Sequence, residues 1–252
     1  MKTELPTVIL LLAAALPLFA APQTIAVPQV DSDVFKTSKG DVEIAFVGHA
    51  SLILTFGGKV IHIDPWSAKA DYSKLPKADA VLITHQHADH LDTIALKLIH
   101  QKSTVYVMNA KARETWKPES SIVLSNGQST DIFGIHIDAV PAYNIKHKRP
   151  DTGIPFHPKG EGNGYILTVG DKKIYAAGDT ENVPEMKALK NIDVAFLPMN
   201  LPYTMTPEMV ADAAKGFKPK VLYPYHYGET KTGELVELLK GTQGVEVRIR
   251  RF

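Results

Sequence analysis

The stretch Leu82 to Asp92 constrains this chain more than any other part of it. It reads Leu-Ile-Thr-His-Gln-His-Ala-Asp-His-Leu-Asp and places three histidines and two aspartates just past an apolar, strand-like run, Ala78 to Ile83. Packing gives no reason for such a cluster. Histidine and aspartate are depleted from cores unless paired, and a loop beyond a strand end is where binding groups sit. Along an extended segment residues i and i+2 share a side, so His85 and His87 can face one ion while Gln86 points away. Asp89 and His90 come where the chain turns toward a helix-like run from Asp92 to His100, and are placed to serve a second ion. Asp92 itself reads as the cap of that helix. The competing reading of the whole stretch is a solvated loop. Imidazole with carboxylate suits zinc, with manganese or iron as alternatives.

The chain has no cysteine, which removes disulfides, thiolate ligands and cysteine nucleophiles and leaves nitrogen and oxygen to build any metal site. Lys and Arg number 28 against 27 Asp and Glu, a formal net charge of +1, so no nucleic acid and no anionic membrane is expected as a general partner. Residues 1–21 contain the apolar run Val8 to Ala21, too short and Pro-interrupted for a comfortable membrane span but fitting an export signal. Cleavage after Ala20, Ala21 or Ala26 would leave an exported, periplasmic or secreted protein with no stable membrane insertion. An uncleaved anchor or a core helix is the alternative. Residues 22–40 are polar and Pro-containing, and are expected to be a linker. Residues 41–252 then form one domain of unknown oligomeric state.

Within that domain Val42 to Val47, Ser51 to Phe56 and Lys59 to Ile63 read as a β-meander, with Gly57-Gly58 as a hairpin turn. His62 alternates with isoleucines and is expected to be an outward or packing residue. His49 and Asp64 follow strand ends and can approach the histidine-rich loop. Asp64 can hold a ligating histidine by its second ring nitrogen, whereas His49 is either such a supporting residue or a histidine satisfied at a turn. Further strands are expected over Thr104 to Met108, Ile122 to Leu124, Thr130 to Phe133, Ile135 to Val140, Asn163 to Val169, Lys172 to Ala177, Ile192 to Leu197, Val221 to His226 and Val245 to Ile249. Helices are expected near Ala110 to Thr115, Val183 to Leu189, Thr206 to Gly216 and Thr232 to Leu239. His136, mid-strand between isoleucines, reads as an outward-facing residue.

Three features stand outside this regular pattern. The irregular segment Tyr143 to Gly162 carries His147, His157 and the cations Lys146, Lys148, Arg149 and Lys159. A loop this long in a compact domain is usually functional. Asp179 lies between small residues just past a strand end, and His226 sits at another strand end before Gly228.

With these residues in view, the His-x-His-x-Asp-His pattern of His85 to His90 resembles the signature of the metallo-β-lactamase-fold hydrolases. Gly48-His49-Ala50-Ser51, Asp64-Pro65-Trp66, Gly178-Asp179-Thr180 and Pro224-Tyr225-His226-Tyr227-Gly228 extend the likeness over roughly residues 41 to 252. Their order resembles the branch that includes ascorbate-phosphate lactonases. The resemblance implies an α/β fold, a four-layer αββα sandwich, in the α+β sense of mixed sheets with helices outside. It implies one divalent ion on His85, His87 and a third histidine, another on Asp89, His90 and His226, and Asp179 bridging them. Family members commonly carry the third histidine where this chain has Asn144. His157 is preferred for that role because a short glycine-rich step ties it to the next strand, and His147 is the rival.

The expected chemistry is hydrolysis of an ester, lactone or phosphodiester bond in a small molecule. Two divalent ions, zinc first, with Mn2+ or Fe2+ as alternatives, lower the pKa of a shared water, and Asp89 orients it and handles the proton. The alternative is an exported metal-binding protein of the same fold without turnover, suggested by the missing histidine at Asn144. The cations of the 143–162 segment either pair with an anionic substrate or form a solvated face.

Overall fold

The computed structural model describes residues 30–252; the expected export signal, and the part of the expected linker up to residue 29, lie outside the described residues. The first sheet is a ladder in chain order of β1 (Ser32–Thr37), β2 (Gly40–Gly48), β3 (Ser51–Phe56), β4 (Lys59–Ile63), β5 (Ala80–Ile83), β6 (Val105–Met108) and β7 (Ser121–Val123). Its strands run antiparallel up to β4 and parallel from there on. The second sheet repeats the plan with β8 (Ser129–Ile132), β9 (Ile135–Ala142), β10 (Gly162–Val169), β11 (Lys172–Ala176), β12 (Val194–Pro198), β13 (Val221–Tyr225) and β14 (Glu246–Val247). It is antiparallel up to β11 and parallel beyond.

Alternation along the strands explains the layers. Inward residues such as Ile44, Leu52, Leu54, Ile61 and Leu82 meet Leu167, Ile174, Phe196 and Tyr223 of the other sheet in one apolar core. The outer face of the first sheet, including Ile53, Val81 and Ile83, is covered by α1 (Thr93–Ile99) and α2 (Ala110–Thr115). The outer face of the second, including Tyr175, Ala195 and Leu222, is covered by α3 (Pro184–Lys187), α4 (Pro207–Phe217) and α5 (Thr232–Leu239). Three apolar clusters between four layers make an αββα sandwich. Among the described residues no helix is long and apolar enough to cross a membrane.

Most expected elements are present, and the differences have local causes. Residues 32–37 were expected in a linker, but they form β1, antiparallel to β2. Only Val34 and Phe35 are apolar in that strand, so it carries no alternating signature. It is held instead by Asp33, whose carboxylate accepts hydrogen bonds from Arg250 Nη2 at 2.7 and 2.8 Å and from the Tyr223 hydroxyl. The third helix is a single turn, and the closing strand is reduced to Glu246–Val247. Gly57 and Gly58 make the expected β3–β4 turn, both with the positive φ that favours glycine, 56° and 75°.

The topology decides where chemistry can happen. β4, β5 and β6 run parallel, as do β11, β12 and β13, so the ends of each trio open on a common edge of their sheet. Hydrogen bonds join the two edges: Asn163 N–H donates to Thr84 O at 2.9 Å, the Tyr165 hydroxyl to Ile83 O at 2.9 Å, and His226 N–H to His49 O at 2.8 Å.

His62 is fully interior on β4, its Nε2 donating to Pro76 O at 3.0 Å. Desolvation lowers its pKa from 6.5 to about 4, against the raising effect of the Pro76 bond. Because the folded value lies below the unfolded one, this neutral histidine stabilises the fold above pH 6.5, and the contribution falls away as pH drops toward 4. Denaturant titrations at several pH values should therefore show a flatter acid limb for His62→Gln, by roughly 3 kcal/mol between those pH values. Equal acid limbs in both proteins would contradict the assignment.

Candidate metal centre

The site begins with a buried carboxylate. Asp64 follows β4 in the left-handed region, φ 45°, and is fully enclosed. Its Oδ1 accepts from Thr84 N–H at 2.8 Å, and its Oδ2 from the Thr84 hydroxyl at 2.6 Å and His90 Nδ1 at 2.8 Å. With Nδ1 taken, the His90 ring can only present Nε2 to the cleft.

The same device recurs twice. His226, following β13 at φ 47°, has Nδ1 2.9 Å from Asn200 Oδ1, and Asn200 follows β12. His157 has Nδ1 2.6 Å from Asn144 Oδ1, which also accepts from its backbone N–H at 2.9 Å. Asn144 in turn donates to Tyr203 O at 2.9 Å and to Glu181 Oε1 at 3.2 Å. Glu181 is buried and binds the backbone N–H groups of Ile145, Lys146 and His147, which fixes the root of the long loop.

The three Nε2 atoms converge on Asp179, which follows β11 after Gly178. Asp179 Oδ2 lies 3.2 Å from His157 Nε2 and 4.0 Å from His85 Nε2, while its Oδ1 lies 3.4 Å from both His90 Nε2 and His226 Nε2. Asp89 Oδ2 completes the second side, 3.6 Å from His226 Nε2 and 3.8 Å from His90 Nε2. On the first side His85 Nε2 and His87 Nδ1 are 2.9 Å apart. His85, His87 and His157 thus form one group of donors within 4.8 Å of one another, and His49, Asp89, His90 and His226 form another.

Gly178 permits this approach. Its φ is +65°, and a Cβ there would lie 2.9 Å from Thr84 Cβ and 3.0 Å from Asn163 O.

A cation fits these residues. His90 Nε2, His226 Nε2 and Asp179 Oδ1 are buried without a hydrogen-bond partner, each an unmet polar group of the kind that costs about 1–3 kcal/mol. All three face the same space. Burial pushes the imidazolium forms of His85 and His87 down, His87 to about 4, so their lone pairs are free for ligation. Burial would raise Asp179, but His226, His90 and His157 outweigh it and hold the carboxyl well below the usual range. Asp89 is likewise held ionised: burial would raise it, but the neighbouring His226 and His90 and the hydrogen bond of His49 outweigh burial. His90 moves the other way: Asp179 and Asp64 outweigh desolvation and raise it.

His85, His87, Asp89, His90, His157, Asp179 and His226 therefore meet in one cleft, and Asp64 stands behind His90. His49, φ 58°, comes closer than a turn histidine needs to: its Nε2 is 2.9 Å from Asp89 Oδ2 and its ring centroid 3.6 Å from that of His226. His147 is turned away, with Nδ1 3.0 Å from Glu181 Oε1. Asp92 caps α1 by accepting from Ile94 N–H at 2.8 Å and holds Ser67, outside the cluster. His136 sits outward between Asp131 and Asp138. Reading the sequence left Asn200 and Glu181 without a role; only the common edge of β11, β12 and β13 would have drawn attention to Asn200.

Two seven-stranded sheets with this His/Asp cluster at their shared edge define a metallo-β-lactamase-fold, metal-dependent hydrolase. The chain belongs to the metallo-β-lactamase superfamily: the Beta-lactamase superfamily domain matches residues 43–226. A UPF0173 metal-dependent hydrolase of Pelotomaculum thermopropionicum is 30% identical over 222 residues, covering 82% of this chain and 96% of that one. A crystal structure from Parabacteroides distasonis, provisionally named a metal-dependent hydrolase, is 47% identical with a TM-score of 0.83, covering 88% of this chain and 99% of the other. The metallo hydrolase Igni18 of Ignicoccus hospitalis is 27% identical with a TM-score of 0.68, covering 83% and 95%.

Asn144→Ala should weaken metal binding about 10–100-fold, as loss of a support behind a ligating histidine commonly does. Competition with a chromogenic chelator reads this directly, and an unchanged affinity would mean that His157 needs no such support.

Proposed function

We propose that this hydrolase holds two divalent ions, zinc foremost, and cleaves an ester, lactone or phosphodiester bond in a small molecule. His85, His87 and His157 would hold one ion and Asp89, His90 and His226 the other, with Asp179 shared and His49 supporting Asp89. The observation that carries the reading is the convergence of ring nitrogens on the two oxygens of Asp179, His157 and His85 toward Oδ2 and the orphaned His90 and His226 toward Oδ1. Bound ions supply Lewis acidity and a water of near-neutral pKa.

The chain's own residues set the geometry around that chemistry. Asp64, Asn144 and Asn200 fix three rings so that no reorganisation is needed when charge develops. Asp89, with 34% of its side chain exposed while Asp179 has 4%, is the carboxylate able to touch an incoming water or leaving group. We assign it the proton-handling role, with His49 Nε2 at 2.9 Å to fix its orientation.

The reading of a metal-binding protein without turnover rested on Asn144 standing where a histidine is common. His157 Nε2 lies 3.2 Å from Asp179 with Asn144 behind its Nδ1, which supports His157 as the third histidine and the hydrolase reading over that alternative. Export of the mature protein is part of the proposal and rests on residues 1–21.

Elemental analysis of purified protein should give about two ions per chain, falling toward one in His157→Ala and staying at two in His147→Ala. One ion or none in the parent would defeat the two-ion reading. Screening of lactones, esters and phosphodiesters should find turnover that a chelator abolishes and zinc restores, and Asp89→Asn should lower kcat about 10²–10⁴-fold.

A further inference from the structure

We propose that Arg149 forms an anion subsite on the wall of the metal cleft. On this reading the substrate carries a carboxylate or phosphate on a flat or apolar body, away from the bond cleaved. The inference rests on the hydrolase reading above and names the substrate class for it.

The long loop brings four cations, and they have different fates. Lys159 is occupied, its Nζ 2.7 Å from Glu185 Oε1 and 3.3 Å from the Tyr143 hydroxyl. Lys146 and Lys148 are exposed, as Arg149 is, but they do not line the cleft. Arg149 does line it, in a space of about 450 Å³ shared with His87, Asp89, His157, Asp179 and His226. Among the described residues the ion pairs made by this loop are those of Lys159 with Glu185, His147 with Glu181, His157 with Asp179 and Glu161 with Lys111, and Arg149 makes none.

The guanidinium is held in place without being neutralised. It lies 5.3 Å from the Phe156 ring centroid, and Phe156 meets Tyr203 edge to face at 5.1 Å. Backbone bonds on both sides of Arg149 fix its turn: its N–H donates to Ile154 O and its carbonyl accepts from Gly153 N–H, both at 2.8 Å. A bridge between Lys148 and Pro155 closes the ribbon. A planar fork of donors already oriented loses little freedom when it takes a carboxylate or phosphate. Phe156 and the 45% exposed Tyr203 offer an apolar shelf for the body that carries the anion. The other side of the cleft reinforces the direction. Asn200 also lines a separate cavity with Glu208, Glu229 and Glu234, whose charge disfavours an anion on that side.

Binding, and not turnover, tests this on the metal-loaded full chain. Calorimetric titration would compare terephthalate with terephthalamate, which keeps one carboxylate and replaces the other by a neutral amide of the same shape. Terephthalate should bind the parent at least about tenfold more tightly, the scale of one charge-assisted pair. Arg149→Gln should bring the ratio to about one while leaving terephthalamate affinity unchanged, and Lys148→Gln should keep the parent ratio. A ratio near one in the parent, a ratio unaffected by Arg149→Gln, or no binding of either compound at millimolar concentration would overturn the subsite. Failure of every hydrolysis screen with the Arg149-dependent ratio intact would instead count against the hydrolase reading alone.

Discussion

The carboxylate of Asp64 is the interaction on which the rest of the centre depends. It is fully buried, it accepts from both the N–H and the hydroxyl of Thr84, and it holds His90 by Nδ1. Thr84 carries that order onward: its carbonyl accepts from Asn163 N–H of the second sheet at 2.9 Å and from Asn109 Nδ2 at 2.9 Å. One charged group in a dry setting thus fixes the start of the histidine loop, the rotation of one ring and the approach of the opposite sheet. Such a network is stiff because its members satisfy one another, and the one polar atom it leaves open, His90 Nε2, is the one that faces the cleft.

Half of the six positive-φ non-glycine residues among the described residues fall in the same place. His49, Asp64 and His226 all take positive φ, between 45° and 58°, a conformation that costs a non-glycine residue about 1–3 kcal/mol. Each stands at the end of a strand and turns its side chain across the edge of the sheet. The surrounding hydrogen bonds, His226 N–H to His49 O among them, keep the chain there.

What could be read before any coordinates follows from distance along the chain. His85, His87, Asp89 and His90 lie within one short stretch, so their spacing alone exposes the cluster. Asp179 and His226 are remote from it, yet each follows a strand with a buried apolar end, and that position marks them. The fold was legible for the same reason, since most of the strands from β2 onward, such as β3, β5, β10 and β12, carry apolar runs long enough to recognise. Asn144, Asn200 and Glu181 were not legible as supports, because amides and a glutamate in loops have no pattern of their own. Their roles arise only when the loop root, β12 and the cleft come together. β1 escaped notice because ion pairing and edge pairing hold it, and neither leaves a periodic trace.

The two sheets share one plan, an antiparallel meander followed by parallel strands, and the cluster lies on the seam between them. Neither half owns a complete set of donors. His85 and His87 belong to the first and His157 to the second; Asp89 and His90 belong to the first and His226 and Asp179 to the second. An ion seated there would act as a rivet through two plates. Its escape would then be governed less by the strength of any single bond than by how often the plates part at that edge, so ion exchange would report on the breathing of the whole sandwich.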